Sequence, residues 1–232
     1  MKNVMIGITG HDEKAYCFEQ VLKSVIADSS FSMISVSMNY ADREIHRIYR
    51  KNSMYLVCIV PTLRKKVDIP QDHIFRHTGH ESVYMQNIVT ARNVLREEAL
   101  IQGMDYLFFN DADVVVEKEA IGYMLEIDAP VVTVPLPLRK FDEITGRRRV
   151  EISFLHLGAV LIHCDVLEKI DFRCEVENGS LIRGEDKCFY SDVLEMGKEV
   201  KATTNIRAMH FLDREDYPKG YANWDGKLHK WS

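Results

Sequence analysis

Two carboxylates, Asp111 and Asp113, stand on either side of Ala112 at the end of an apolar run, Tyr106-Leu107-Phe108-Phe109-Asn110. Carboxylates at this spacing offer hard oxygen ligands to Mg²⁺ or Mn²⁺ and leave coordination positions for a substrate's phosphates. In open α/β sheets, ligands sit outside the carboxyl ends of strands, and that is where this pair falls if the run is a buried strand. The same two residues could instead form a polar loop after a strand. The helical pattern that precedes the strand gives the pair the context a site needs. The chemistry implied is metal-assisted reaction of a phosphorylated substrate. His73, His77 and His80 also have ligand-like spacing. No cysteine or carboxylate pattern accompanies them, so a zinc site is not read there.

The elements that must position this pair are legible in part. Val4–Ile8 reads as a short buried strand, and Phe18, Val21, Leu22, Val25 and Ile26 form one apolar helix face. Residues 32–38 read as a strand, 41–51 as a charged helix, and 55–60 as a strand stopped by Pro61. This alternation argues for a parallel sheet with helical crossovers. Residues 61–82 read as a long connection with a short strand near Ile74-Phe75, and connections of that length are more often functional than accidental. Ile88, Ala91, Leu95 and Ala99 line a helix over 84–102, with Gly103 as its C′ residue.

After Asp113, the spacing predicts a helix over 117–127 with Glu117 and Glu119 in its first turn, where the dipole favours them. A strand over 130–135, a hairpin over 136–152 turning at Thr145-Gly146, and an apolar run over 155–162 follow. The run is interrupted by His156 and Gly158. A helix over 184–196 ending at Gly197 and a strand over 200–204 complete the pattern. The tail is polar but carries Tyr217, Tyr221, Trp224 and Trp231, which read as core packing or as a flap over a ligand.

At 232 residues the chain has the length of one α/β domain. A net charge of −5 argues against non-specific nucleic-acid binding. Five cysteines without a CxxC pair fit reduced thiols in a cytoplasmic protein. The N-terminus lacks a signal-peptide pattern, and no apolar stretch is long enough to span a bilayer.

Several segments together resemble the family-2-like glycosyltransferases of the GT-A fold. They are Ala91-Arg92-Asn93, Ala99, Gly103-Met104-Asp105-Tyr106-Leu107-Phe108-Phe109, Asp111-Ala112-Asp113, Leu157-Gly158-Ala159-Val160-Leu161-Ile162 with Val166-Leu167-Glu168-Lys169-Ile170, Gly184-Glu185-Asp186, and His210. They occur in the family's order over roughly 84–210. The resemblance implies one GT-A domain over 1–232, with a Rossmann-like, mostly parallel central sheet flanked by helices and a small antiparallel hairpin. Its nucleotide-binding half is about 1–115 and its acceptor half about 116–232.

It also implies an enzyme moving a sugar, with inversion, from a UDP- or GDP-linked donor to a hydroxyl acceptor on a glycan, glycolipid or glycoprotein, with Mn²⁺ or Mg²⁺. Thr9, Arg92, Asp111 and Asp113 would then bind the nucleotide sugar. Asp113 and His210, with Asp111, would hold the metal. Asp186, or Glu185, would take the acceptor's proton, and Gly158 and Glu185 would line the acceptor.

Each role has a plainer alternative. Glu185 and Asp186 open a helix, where carboxylates stabilise without catalysing anything. His210 is a lone strand-end histidine. Arg92, with Arg96 four residues on and no acidic partner there, reads as a solvated surface residue. Gly158 would only relieve packing in a strand. Arg147-Arg148-Arg149 reads as a solvated hairpin tip, or as a contact for an anionic acceptor or a peripheral lipid surface.

The chain departs from the family pattern in two places. It has Ile8-Thr9-Gly10-His11-Asp12 where a Pro-Thr or Pro-Ser step is usual, and Ser37-Met38-Asn39-Tyr40 where an acidic pair reads the base. Base specificity therefore does not carry over. Two other functions compete. One is a sugar-nucleotide nucleotidyltransferase, against which the N-terminal loop lacks a Gly-rich, Arg/Lys-bearing phosphate cradle. The other is a non-catalytic glycan- or partner-binding module.

Overall fold

The structure is a computed structural model that describes residues 2–28, 30–38, 43–52, 57–61, 80–142, 147–211, 221–222 and 228–229. Strands β1 (Val4–Thr9), β2 (Met33–Met38) and β3 (Val57–Pro61) run parallel, and α1 (Ala15–Ile26) and α2 (Arg43–Asn52) lie in the crossovers. Pro61 is the last residue of β3, in register with Met38, and β3 is the edge strand among the described residues. Helix α3 (His80–Ile101) starts earlier than its apolar periodicity shows, and the chain turns through Gly103 at φ +63° into β4 (Tyr106–Asp111).

Beyond β4 come β5 (Val114–Val116), α4 (Ala120–Glu126), β6 (Val131–Thr133), β7 (Leu136–Asp142), β8 (Arg147–Ser153), β9 (Ala159–His163) and α5 (Cys164–Leu167). The chain continues through β10 (Glu175–Glu177), β11 (Ser180–Arg183), α6 (Glu185–Glu195), β12 (Val200–Ala202), β13 (Ala208–His210), β14 (Tyr221–Ala222) and β15 (Leu228–His229).

Among the described residues the main sheet has seven strands in the order β12-β6-β9-β4-β1-β2-β3, all parallel except β9, which is antiparallel to both neighbours. Alternation along the central strands splits the core into two layers. Val4, Ile6, Ile8 and Phe108 pack with Phe18, Leu22 and Val25 of α1 and with Ile121 and Met124 of α4. Met5, Leu107 and Phe109 face the other way, onto Leu95 and Ala99 of α3 and Phe189 and Val193 of α6. Burial on both faces is what a mostly parallel sheet requires.

Three sequence expectations need correction. The helix expected over 117–127 is present as α4 but begins only at Ala120, and a short strand not expected from the sequence, β5, precedes it. No acidic residue occupies the first turn of α4. Glu119 sits just outside at φ 72°, and Glu117 lies against Arg207 of the neighbouring strand. The first-turn N–H of Ile121 is satisfied by the buried Asp28 instead, at 2.9 Å, a cap from a distant part of the chain.

The β10–β11 hairpin was also missed, although Asn178-Gly179 at φ 51° and 81° is the two-residue turn such hairpins favour. Arg92 is buried, not solvated. The 136–152 hairpin is present as β7–β8, with Arg147, Arg148 and Arg149 opening β8. The turn at Thr145-Gly146, the strand near Ile74-Phe75, and Tyr217, Trp224 and Trp231 lie outside the described residues, as do His73 and His77. Among the described residues, no helix is long and apolar enough to cross a membrane, and Cys17, Cys164, Cys174 and Cys188 are free thiols.

Candidate functional site

The parallel pairing of β1 with β4 sets Thr9 opposite Asp111 at the carboxyl ends of both strands. The Thr9 hydroxyl donates to Asp111 Oδ1 at 3.4 Å, and Arg92 from α3 reaches the same oxygen at 3.0 Å. On its other side Asp111 meets β9: its N–H donates to the Gly158 carbonyl at 2.9 Å. A Cβ at Gly158 would come within 2.9 Å of Asp111 Oδ2 and within 2.9 Å of Leu136. Any larger residue here must push aside the Asp111 carboxylate or the Leu136 side chain.

Arg92 is the hub of this half. Besides Asp111, its guanidinium donates to the Leu157 carbonyl at 3.2 Å, lies 3.8 Å from Glu185 and stacks over the Phe109 ring at 5.2 Å. Burial works against the charge, but Asp111 and Glu185 outweigh it and hold the guanidinium protonated.

Past Asp111 the chain turns through Ala112 and Asp113 into β5, which pairs antiparallel with β13 and sets His210 opposite Val114. That pairing brings His210 Nε2 within 3.3 Å of Asp113 Oδ2. His210 Nδ1 lies 3.0 Å from the Pro137 carbonyl, which can only accept, so Nδ1 carries a proton. The carbonyl contact at Nδ1 fixes the ring's orientation and turns Nε2 toward Asp113.

A third group, not read from the sequence, completes this cluster. Lys14, at the junction of the 3₁₀ turn Asp12–Lys14 and α1, places Nζ 2.6 Å from the same Asp113 oxygen. Burial would disfavour the Asp113 charge, but His210 and Lys14 outweigh it and hold the carboxyl well below the usual range. Burial likewise opposes the charge on Lys14 and His210, and Asp113 overcomes it in both. The Tyr84 phenol at the start of α3 lies within electrostatic reach of Asp113, Lys14, Asp111 and Glu185.

Across from these stands a second acidic pair. Gly184 is the N-cap of α6, and Glu185 and Asp186 fill its first turn. Asp186 Oδ1 accepts the Leu157 N–H at 3.0 Å. Burial and the neighbouring Glu185 push the Asp186 carboxyl up to about 7, with Arg92 pulling the other way. Burial also raises Glu185, again against Arg92.

The segment 156–158 thus joins both halves: its backbone receives Arg92, holds Asp111 and donates to Asp186. His156 anchors it. The ring is buried, Nε2–H donates to the Val134 carbonyl, Nδ1 accepts the Gly158 N–H at 3.0 Å, and the Tyr190 hydroxyl donates to the His156 carbonyl at 2.6 Å. Burial brings this imidazole down to about 4, so it is a neutral structural strut.

The structure therefore brings all eight sequence-proposed residues into one region: Thr9, Arg92, Asp111, Gly158, Glu185 and Asp186 in one linked network, and Asp113 with His210 beside it. Among the described residues, no three His, Cys, Asp or Glu side chains form a ready-made metal cage. The donors present are a carboxylate and an imidazole in contact, with a second carboxylate nearby, and a cation already sits on the first. This set suits Mg²⁺ or Mn²⁺ completed by substrate phosphates.

No family model matches the chain, and no curated protein matches it by sequence. Solved structures do match its shape. A mannosyltransferase from Pyrobaculum calidifontis, determined with GDP-Man and Mn²⁺, aligns with a TM-score of 0.56 at 10% identity, over 87% of this chain and 55% of that one. A 4-diphosphocytidyl-2C-methyl-D-erythritol synthase from Anaerococcus prevotii aligns at 0.53 and 11% identity, over 93% of each chain. HddC from Yersinia pseudotuberculosis aligns at 0.52 and 12% identity, over 94% and 97%. The fold is of GT-A type. Identities this low establish the architecture and nothing finer.

Proposed function

We propose that this chain is a metal-dependent glycosyltransferase that moves a sugar from a nucleoside-diphosphate donor to a hydroxyl acceptor, with inversion. The observation that carries the reading is the opposition of two acidic pairs at one sheet end: Asp111 and Asp113 in contact with Arg92, Lys14 and His210, and Glu185 and Asp186 opening α6 beside Arg92. Asp113 and His210, with Asp111, would hold the metal, which when bound would supply positive charge to stabilise the leaving diphosphate. Thr9 and Asp111 face the nucleoside, and Arg92 fixes Asp111 while sharing its charge with Glu185.

On the acceptor side, lined by Glu185 and Gly158, Asp186 accepts the hydroxyl proton as the acceptor oxygen bonds to the anomeric carbon. The bond from that carbon to the diphosphate oxygen breaks on the opposite face. A carboxyl lifted to about 7 is matched to a base working near neutral pH, and such a base contributes ~10²–10⁴-fold. Likeness in fold to a mannosyltransferase determined with GDP-Man and Mn²⁺ supports a nucleotide-sugar donor.

One observation favours a second reading, a sugar-nucleotide nucleotidyltransferase. The N-terminal loop was expected to lack a basic phosphate ligand, yet it delivers Lys14 to Asp113. Product analysis separates the two. Incubation with UDP- and GDP-sugars and Mn²⁺ should release the nucleoside diphosphate, faster with an acceptor present. Pyrophosphate made only from a nucleoside triphosphate and a sugar phosphate would decide for the alternative.

A further inference from the structure

Resting on the proposed metal-binding role of Asp113, we propose that Lys14 is a built-in competitor of the metal: its ammonium occupies the cation locus in the nucleotide-free protein and transfers to the donor's diphosphate when the metal arrives. Three features carry this. Lys14 Nζ and His210 Nε2 lie at 2.6 Å and 3.3 Å from one and the same oxygen, Asp113 Oδ2, so a metal entering there must displace the ammonium. Lys14 remains partly exposed, with its side chain 31% accessible against 10% for Asp113, so it is free to leave on the solvent side. Its backbone is pinned at the mouth of the site by the Lys14 N–H to His11 carbonyl turn at 2.8 Å, while the flexible four-carbon stem can redirect the charge without moving the fold.

Asp111, whose Oδ1 is already shared by Arg92 and Thr9 and which the metal would also engage, is a poorer second partner for the displaced ammonium. A diphosphate arriving with the metal is the anion that replaces Asp113. Metal alone must therefore expel a paired ammonium into water, whereas metal with nucleotide hands it a new partner. The consequence is positive coupling between the two ligands, and it is reciprocal.

The test measures Mn²⁺ affinity calorimetrically, with and without UDP or GDP, on the wild type and on Lys14→Met and Lys14→Gln, with thermal melts to establish that each variant is folded. The expected result is that both variants bind Mn²⁺ alone about tenfold more tightly than the wild type. The mutual enhancement of Mn²⁺ and nucleotide should shrink by a similar factor, within the ~5–150-fold range common for coupled sites. Unchanged or weaker Mn²⁺ binding in folded variants of a protein that binds Mn²⁺ overturns the role of Lys14 and leaves the metal site standing. Absence of Mn²⁺ binding by every protein, with or without nucleotide, overturns both.

Discussion

The two acidic pairs at the carboxyl end of the sheet are built from the same chemistry and set to opposite states. Asp111 and Asp113 meet three basic side chains, Arg92, Lys14 and His210, at 3.0, 2.6 and 3.3 Å. Glu185 and Asp186 are adjacent in one helical turn, and among the described residues the basic side chain in ion-pair range is Arg92, 3.8 Å from Glu185. Asp113 offsets its desolvation by direct ion pairing with Lys14 and His210, which hold its carboxyl well below the usual range. The second pair lacks that compensation, and burial and mutual repulsion lift it until Asp186 titrates near 7. On the proposed function, environment rather than residue type suits one pair to holding a cation and the other to exchanging a proton.

The largest expected effect is on the proton-exchanging pair. Asp186→Asn keeps the shape and the first-turn position but cannot take a proton, so turnover should fall by ~10²–10⁴-fold with little change in nucleotide affinity. Steady-state kinetics beside nucleotide titration measures both. A variant with near-normal turnover would return Asp186 to the plainer role of a helix-opening carboxylate.

Arg92→Met strikes both pairs together. It strands the buried Glu185 and the half-buried Asp111 without their cation and should cost about 3–5 kcal/mol in urea denaturation. A loss under about 1 kcal/mol, the size of an exposed ion pair, would contradict the hub role.

Gly158→Ala is smaller and more local. The added methyl group meets Asp111 and Leu136, costing about 1–3 kcal/mol as overpacking. It should weaken nucleotide binding more than it weakens the acid–base step, which can be read as a change in KM for the donor against kcat.

The smallest effect is in pH dependence. With Asp186 raised to about 7, kcat/KM should climb with pH through about 7 and level off above it, since the base is the ionised form. The stability linkage has the opposite sign. A carboxyl raised in the folded state favours folding at acid pH, and that contribution is lost as pH rises through the folded value. Glu185→Gln removes the like charge, so the rise in kcat/KM should move to lower pH, as pH–rate profiles of the two proteins will show.

Much of this site was legible because its residues are ordered along the chain by the fold itself. The D-x-D pair ends the one strand that the apolar run marks most clearly, and Glu185-Asp186 opens a helix with glycines at both ends. What the sequence hid is the pairing across distance. Arg92 looked like a surface residue because its partners Asp111, Leu157 and Glu185 come from other elements, and nothing at helical spacing announces them.

Lys14 was hidden for the same reason, since it meets Asp113 only through the fold. Strand β5 was too short to separate from the helix expected after it, yet its pairing with β13 is what carries His210 to Asp113. The α4 cap was misplaced because Asp28, far upstream, supplies it. The β10–β11 hairpin is a different kind of miss: Asn178-Gly179 was present as a turn signal and went unread.

The central claim is that Asp113 anchors a metal which in turn holds a nucleotide. Calorimetric titration of UDP and GDP into the protein, with and without Mn²⁺, on the wild type and on Asp113→Ala, tests it most directly. The account predicts that one of these nucleotides binds only with Mn²⁺, and that the variant loses this binding by ~100-fold, the upper end of what even outer-shell changes cost a metal site. Nucleotide binding that ignores both Mn²⁺ and the loss of Asp113, or no binding of either nucleotide at all, would contradict it.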